Sequence, residues 1–301
     1  MKVYLLIIGL ILISVLSSSY HVADSDIPRY DHVVVVVEEN HSYAELIGSP
    51  NAPYINELAK DGTLFTDSHG IGHPSQPNYL ALFSGSTQGV NGDGCLQRVT
   101  PFKTPNLGAA LLTKGLTFRG YAQTMPAIGF LGCTSGSSSV TIGHLYARKH
   151  TPWVNWLGTG TNCIPDSLSI PMTGFPKNYK KLPTISFVVP NMDYDMHNIG
   201  MAGSGSAIRR GDQWLKDNLS DYAKWAKKHN SLLIVTFDED DYDSKNGNKI
   251  ATIFYGDKVK KMEYGNTINH YYVLHTLEVM YGLPSDDKIS ASPISGIWES
   301  K

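Results

Sequence analysis

The sequence predicts an α/β fold with a mostly parallel central sheet, and three apolar runs carry that prediction. Residues 31–37, 185–189 and 232–237 are short, rich in Val and Ile, and bounded by polar residues. Runs of this kind are typical of strands buried on both faces of a parallel sheet. Each run ends in a polar cluster, and amphipathic helical segments such as 207–229 alternate with the runs, which indicates a layered α/β architecture.

Local signals place the other elements. Pro53 near the start and Gly62 just past the end frame a short helix over 53–61. Residues 123–181 are richer in Gly, Ser and Pro and have no clear period, so we expect an insertion or cap there. We expect a flexible loop at 200–205. The remaining pattern predicts strand 63–67, helix 78–83, helix 105–114, strand 117–122, strand 250–255 and helix 270–281.

The amino terminus has the pattern of a secretory signal peptide. Lys2 is followed by an apolar stretch from Val3 to Leu16 and by three serines. The stretch is short for a membrane span, so we predict cleavage after residue 19 and export to the exterior or to a lysosome. An uncleaved anchor is the alternative. Residues 20–301 contain no strong boundary and are predicted to form a single domain.

Composition excludes one class of partner. The net charge is -2, with 25 basic and 27 acidic residues, whereas nucleic-acid binders usually present a strongly basic face. No later stretch is apolar enough to suggest a stable membrane span. An anionic small-molecule substrate stays compatible with this charge, because a bound metal ion can supply a positive field locally.

Three cysteines suit an oxidising compartment. Of Cys95, Cys133 and Cys163, we expect the first two to pair and the third to stay free. The absence of a CxxC motif disfavours a thiolate zinc site. Asn218 begins an Asn-Leu-Ser glycosylation sequon on a polar helix end.

Two acidic pairs follow predicted strands. Glu39-Asn40 follows the first strand, and Asp238-Glu239 opens a run of four acidic residues after the strand at 232–237. Carboxylate and amide oxygens are ligands for hard divalent cations. Taken alone, Glu39-Asn40 could equally cap the next helix or turn, and the acidic run could be a solvated loop. The strand-end position favours metal binding for Asp238 and Glu239.

Ser75 is a candidate nucleophile. It lies two residues before Pro77, which suits the first turn of a helix, and free N–H groups at a helix start favour an anion. A serine beside a metal ion is well placed to attack phosphorus. A plain helix N-cap is the alternative role for Ser75, and Asn78 could cap as easily.

Histidines near element ends could bind metal, hold phosphate or protonate a leaving group: His150, His197 and His270. Each alone could equally be a structural histidine. Asp195 with His197 is the stronger signal, because residues i and i+2 of an extended segment share one face. Motifs of lipase-type serine hydrolases, P-loop nucleotide enzymes and zinc peptidases are absent.

Six motifs together resemble one family of enzymes. They occur in the family's order across nearly the whole chain after residue 20, at residues 34–43, 73–85, 149–153, 190–197, 236–241 and 269–274. The chain is similar to the phosphoesterases that include bacterial phospholipases C and secreted acid phosphatases, within the alkaline-phosphatase-like superfamily. The resemblance implies an alkaline-phosphatase-like three-layer sandwich.

The resemblance also implies roles for individual residues. Glu39, Asn40, Asp238 and Glu239 match the metal ligands, and Ser75 matches a nucleophile that also contacts the metal. His150 and His197 match positions facing the phosphate, with Asp195 beside them and His270 near the last helix. The implied activity is hydrolysis of phosphate monoesters through a phosphoserine, dependent on a divalent metal ion of unknown identity. The alternatives are a phospholipase C-type phosphodiesterase and a secreted binding protein with a structural metal site.

Overall fold

The computed structural model describes residues 27–242, 244–285 and 290–299. The predicted signal peptide therefore lies outside the described residues. The helices are α1 Tyr43–Leu46, α2 Pro53–Asp61, α3 Ser75–Ser84, α4 Leu107–Thr113, α5 Ser204–Ala226 and α6 His270–Tyr281. The strands are β1 His32–Glu38, β2 Thr63–His69, β3 Phe118–Ala122, β4 Thr134–Ser137, β5 His144–Ala147, β6 Ser169–Pro171, β7 Ile185–Val189, β8 Ser231–Phe237, β9 Lys249–Gly256, β10 Met262–Tyr264 and β11 Ile268–Asn269.

The central sheet has nine strands and is mostly parallel, which confirms the predicted α/β class. Its order is β10-β2-β9-β8-β1-β7-β3-β6, and β11 also pairs with β2. Strand β9 is the exception, because it runs antiparallel to both of its neighbours, β2 and β8. Strands β4 and β5 form a separate antiparallel hairpin. The parallel strands direct their carboxyl ends to one edge, where ligands collect in open α/β sheets.

Helices cover both faces of the sheet. This coverage explains why the valine run of β1 is uninterrupted. Val33, Val35 and Val37 pack in a core shared with α3, α4 and α6. Val34 and Val36 pack in a second core with α2 and α5. Since successive strand side chains point to opposite faces, a strand covered on both sides has no position for a polar residue. The result is the predicted three-layer sandwich.

Two helix starts differ from the sequence prediction by three residues. Helix α3 begins at Ser75, three residues before the predicted start at 78. Helix α5 begins at Ser204 and ends at Ala226, three residues earlier at each end than predicted. Gly203 precedes α5 with φ 79°, a left-handed conformation that glycine adopts without strain. Helix α5 therefore takes up the last two residues of the predicted flexible loop at 200–205.

The segment at 123–181 is tied into the main core. Its strand β6 joins the edge of the sheet beside β3. The side chains of Trp153 and Trp156 are fully buried in the same core as α3 and α4. Gly120 of β3 lies against Trp153, and a Cβ at Gly120 would lie 2.1 Å from a ring carbon. A cap function for 123–181 stays a prediction, but the segment is anchored by these contacts.

A disulfide joins Cys95 to Cys133, with Cα atoms 5.7 Å apart, and Cys163 is free, as predicted. The bridge fastens the loop before α4 to the segment after β3. Asn218 is exposed on α5, and its glycosylation stays a prediction. None of the helices within the described ranges is long and apolar enough to cross a bilayer.

Replacing Gly120 with alanine should destabilise the protein by about 1–3 kcal/mol, because the new methyl group must displace the Trp153 ring in a packed core. Gly92→Ala is the control, since no atom lies within 4 Å of a Cβ at Gly92. Its effect should stay within about 0.5 kcal/mol. Urea unfolding measures both, and equal midpoints for the two variants would contradict the packing described here.

Candidate active site

The candidate active site lies at the carboxyl ends of three adjacent strands, β8, β1 and β7. The register pairs Glu38 with Phe237, so the residues that follow β1 and β8 leave the sheet side by side. The backbone N–H of Asp238 donates to the carbonyl of Glu38 (3.0 Å), and that of Glu39 donates to the carbonyl of Asp195 (2.8 Å). Three polar clusters far apart in the sequence therefore meet at one edge.

Asn40 turns the chain out of β1. Its φ of 51° is left-handed, a region that Asn tolerates better than most residues. Its N–H donates to Oδ1 of Asp238 at 3.1 Å, which joins the two acidic pairs. The N-cap of the following helix α1 is Ser42. Asn40 therefore does not cap that helix, which was the alternative role considered for it.

Ser75 is the first residue of α3, and its side chain is buried. Its Oγ lies 3.1 Å from Oε2 of Glu39, 3.1 Å from Oε1 of Glu239 and 3.4 Å from Oδ1 of Asn40. A hydroxyl has one proton to donate, so it can satisfy only one of these three acceptors at a time. The hydroxyl thus lies among oxygen atoms that together lack donors.

These side chains form what we call the oxygen cluster: Glu39, Asn40, Ser75, Asp238 and Glu239. Oδ2 of Asp238 is buried without a hydrogen-bond partner. The Asn40 side-chain amide can take either orientation, and when reversed it would donate to Glu39 at 3.0 Å and to Glu239 at 3.2 Å. With its oxygen turned inward, the same amide would add one more oxygen ligand for a cation. Carboxylate and amide oxygens suit a hard divalent cation, so the cluster fits the expected metal ion.

The acid groups of the cluster repel one another. Burial, followed by the charges of Glu39 and Glu239, raises the pKa of Asp238 well above its usual range. Burial and the charge of Glu39 raise the pKa of Glu239 to about 7. Buried carboxylates remain ionised only when paired with positive charge. The cluster is therefore electrostatically incomplete without a cation.

His150 supplies part of the missing positive charge. Its Nε2 lies 3.0 Å from Oε1 of Glu39, and its Nδ1 lies 3.2 Å from Oδ2 of Asp195. Burial alone would lower the pKa of His150, but the charge of Glu39 and the hydrogen bond to Asp195 raise it to about 9. Burial likewise raises the pKa of Glu39, and the opposing effect of His150 outweighs it and lowers that pKa.

His197 and Lys149 border the same site. Nζ of Lys149 lies 2.7 Å from Oδ2 of Asp93 and 3.5 Å from Nε2 of His197. Burial lowers the pKa of His197. The expected extended geometry at 195–197 was wrong, because Met196 has φ 79° and the N–H of His197 donates to Oδ1 of Asp195 at 2.9 Å. A tight turn, not a shared strand face, brings Asp195 and His197 together.

A second set of possible metal ligands overlaps the oxygen cluster. Ligand atoms of Glu39, His150 and His197 all lie within 4.8 Å of one another. Glu39 belongs to both sets, with one carboxylate oxygen near Ser75 and the other near His150. The sequence prediction had placed the two histidines at the phosphate instead. The geometry allows either role for them.

His270 lies behind the cluster. It is the first residue of α6, is fully buried, and its Nε2 donates to the carbonyl of Asp238 at 2.6 Å. Burial lowers its pKa to about 4, so the ring is neutral at ordinary pH. In this position the ring holds the backbone of Asp238. A phosphate contact for His270 or Asp195 stays a prediction.

Sequence reasoning missed His73. Its Nδ1 lies 2.7 Å from Oε2 of Glu239, its Nε2 lies 3.3 Å from Oδ1 of Asp240, and its ring stacks on Tyr242. His73 therefore orients Glu239 from the outer side of the cluster. Its position two residues before Ser75 was the one available signal. Lys149 was also missed as a site residue, although it precedes His150.

The chain matches one family model and is similar to named phosphatases. The family model described as Phosphoesterase family matches residues 49–284. The phosphatidylinositol-3-phosphatase of Mycobacterium tuberculosis is 46% identical, over 98% of this chain and 93% of that protein. An acid phosphatase of Aspergillus fumigatus is 29% identical over 82% of this chain, which spans 54% of that fungal protein.

Solved structures agree on the fold. A protein of the alkaline phosphatase superfamily from Vibrio parahaemolyticus superposes with a TM-score of 0.57, over 86% of this chain and 68% of that one. The sequence identity is 14%, so this match bears on architecture alone. The expected alkaline-phosphatase-like fold is confirmed.

Replacing Asp195 with alanine should destabilise the fold by about 1–3 kcal/mol, because Nδ1 of His150 and the N–H of His197 would be buried without an acceptor. Asp217→Ala is the matched control, since that exposed carboxylate accepts from the side chain of Gln213 on the same helix. Guanidinium unfolding measures both. Similar unfolding free energies would show that Asp195 does not hold the histidines.

Proposed function

Because the chain belongs to the Phosphoesterase family and is a hydrolase of phosphoric ester bonds, we propose that it cleaves phosphate monoesters through a phosphoserine at Ser75. The observation that carries this proposal is the position of the Ser75 hydroxyl, buried at the start of α3 and 3.1 Å from each of two carboxylates. A divalent ion held by Glu39, Asn40, Asp238 and Glu239 would lower the pKa of that hydroxyl and offset developing negative charge.

The chain's own groups divide the work of the reaction. The Ser75 hydroxyl gives up its proton to an adjacent carboxylate, Glu39 or Glu239, each 3.1 Å away. Its Oγ attacks phosphorus as the bond to the leaving alcohol breaks, and water then hydrolyses the phosphoserine to release phosphate and the serine hydroxyl.

His150 and Ser75 contact opposite oxygens of the Glu39 carboxylate, and Lys149 lies beside His197. Lys149, His150 and His197 would offer positive charge or N–H groups to the phosphoryl oxygens. One of the two histidines donates a proton to the leaving alkoxide. Phosphoryl transfer needs mainly position and charge, and this arrangement supplies both.

Monoesters are the proposed substrates because the two relatives described above are both named as phosphatases. The mycobacterial relative is named for a phosphate on an inositol lipid, so we include phosphomonoester lipids. A phospholipase C-type phosphodiesterase, the alternative from the sequence, predicts turnover of a phosphocholine lipid instead. Comparing a phosphomonoester with that diester separates the two.

We propose that the enzyme acts outside the cytosol, either secreted or in a lysosome. The Cys95–Cys133 bridge supports an oxidising compartment. The sheet takes strands from both ends of the described chain, which supports one catalytic domain over 20–301. Complete absence of turnover with each divalent metal would favour the other alternative, a secreted binding protein with a structural metal site.

Ser75→Ala should lose nearly all turnover of a chromogenic phosphomonoester and should remain folded, because only one hydroxyl is removed. The control is Ser186→Ala, which removes a buried β7 hydroxyl that has no hydrogen-bond partner. That variant should keep its activity. Steady-state kinetics with circular dichroism measures the outcome. Wild-type turnover in Ser75→Ala would show that another group is the nucleophile.

Removing divalent metal with a chelator should lower the melting temperature of the wild type, because the buried carboxylates would then repel one another. Glu239→Gln removes one of these charges. We expect its metal-free form to melt higher than metal-free wild type, and its metal-induced stabilisation to be smaller. Calorimetry with and without Mg²⁺, Ca²⁺, Mn²⁺ or Zn²⁺ tests this. Identical metal-induced shifts in both proteins would exclude Glu239 as a ligand.

A further inference from the structure

Exposed large apolar side chains concentrate on the site face of the molecule. The described residues include eight of them. Two follow β3, three follow β7 (among them Ile199 and Met201), Tyr242 follows β8, and Ile142 lies in the turn of the β4–β5 hairpin. The eighth, Val99, lies four residues from the Cys95–Cys133 bridge, which ties it to the segment after β3. The opposite end of the sheet has none among the described residues.

Ile142 and Met201 are the extreme cases. Their relative exposures are 110% and 107%, so neither side chain packs against its surroundings. Single exposed apolar residues are common on soluble proteins, but clusters of them mark interaction surfaces. We call Ile142, Ile199 and Met201 the apolar rim.

The apolar rim is carried by two segments, the turn of the β4–β5 hairpin and the loop after β7. Polar contacts hold these two segments together. One carboxylate, that of Asp193, accepts from the hydroxyl of Ser138 (2.5 Å), the N–H of Ser139 (3.1 Å) and the side-chain amide of Asn198 (2.7 Å). The hairpin also touches the other segment directly, since a Cβ at Gly200 would lie 2.6 Å from a methyl group of Val140. The rim is therefore braced, and its apolar tips project from a fixed base.

The hairpin and residues His197 and Asn198 also border a cavity of about 470 Å³ at the side of the candidate active site that carries Lys149 and His197. Lys149 and His197 line that cavity, and His197 also belongs to the set of possible metal ligands that includes Glu39. Ile142 of the apolar rim lines the same cavity, so a ligand that enters it passes this side chain. The rim and the site therefore face the same approaching surface.

Charge in the rim suits a lipid surface. Residues 134–148 and 196–206 contain no Asp or Glu. Arg209 and Arg210 follow in the first turns of α5, and Arg209 is exposed. The carboxylate of Asp193 between the two segments is buried, at 3% exposure. Exposed apolar tips near cationic groups are the features that anchor proteins at the surface of an anionic bilayer. Two side chains projecting from turns fit a fluid layer better than a protein surface of fixed shape.

We infer that the apolar rim inserts into the surface of a lipid layer and directs lipid headgroups into the cavity beside Lys149 and His197. This inference rests on the proposed phosphomonoesterase function and narrows its substrate class to phosphomonoester lipids presented in a membrane. A soluble ester would reach Ser75 without using the rim.

The test compares the double variant Ile142→Ser/Met201→Ser with Ile142→Leu/Met201→Leu, which keeps the apolar character. All four side chains replace fully exposed ones, so the melting temperature should not change. Binding is measured by cosedimentation with vesicles of phosphatidylcholine, with and without phosphatidylserine. The serine variant should bind at least about tenfold more weakly than wild type, since two apolar insertions are lost. The leucine variant should bind like wild type, and phosphatidylserine should strengthen binding of both wild type and leucine variant.

Activity provides the second arm. The serine variant should keep wild-type turnover of a soluble chromogenic phosphomonoester and of a short-chain phosphatidylinositol 3-phosphate below its micelle concentration. It should lose turnover of the long-chain lipid in vesicles. Reduced vesicle binding in a protein that hydrolyses no phosphate ester would uphold the docking surface and refute the proposed function.

Two results would overturn the inference. The first is equal vesicle binding by wild type and serine variant, including no binding by either. The second is a wild-type dimer that the serine substitutions convert to a monomer, measured by light scattering, because the rim would then be a contact between two copies of this chain.

Discussion

Negative charge buried at the ends of two neighbouring strands is the constraint on which the site depends. Glu39 follows β1, Asp238 and Glu239 follow β8, and all three are buried. Such a group is stable only with positive charge or proton donors close by. His150 beside Glu39 and His73 beside Glu239 supply some of these charges and donors. Oδ2 of Asp238, however, has no hydrogen-bond partner. The proposed metal ion completes this balance, and the Ser75 hydroxyl lies among the same oxygens.

The fold makes this concentration of charge possible. In-register pairing of β1 with β8 places their carboxyl ends together, while the hydrophobic layers on both faces fix the strands rigidly. Asn40 leaves the sheet in a left-handed conformation, which sends its side chain back toward Ser75. His270 holds the carbonyl of Asp238 from behind. The site is thus assembled from residues at the termini of rigid elements, and the surrounding loops provide access to it.

Local patterns in the sequence were enough for the layers and the main strands, because burial on two faces and apolar periodicity are recorded residue by residue. The Cys95–Cys133 pairing was a preference among three cysteines, and no local pattern fixed it. Strand direction is not recorded in that way, so the antiparallel course of β9 was not predicted. The Asp195–His197 geometry was wrong because one left-handed residue, Met196, reverses the chain. The pairings of His150 with Glu39 and of His73 with Glu239 span 111 and 166 residues, which periodicity cannot reveal. Only the family resemblance connected Ser75 with both acidic pairs.

The position of the metal ion is the most direct test of this account. Anomalous diffraction from crystals grown with Mn²⁺ would locate the ion relative to the two overlapping ligand sets. We predict a peak within bonding distance of Glu39, Asn40, Asp238 and Glu239, with Oγ of Ser75 beside it. A peak bound by Glu39, His150 and His197 alone, or no peak at this edge of the sheet, would contradict the proposed activation of Ser75.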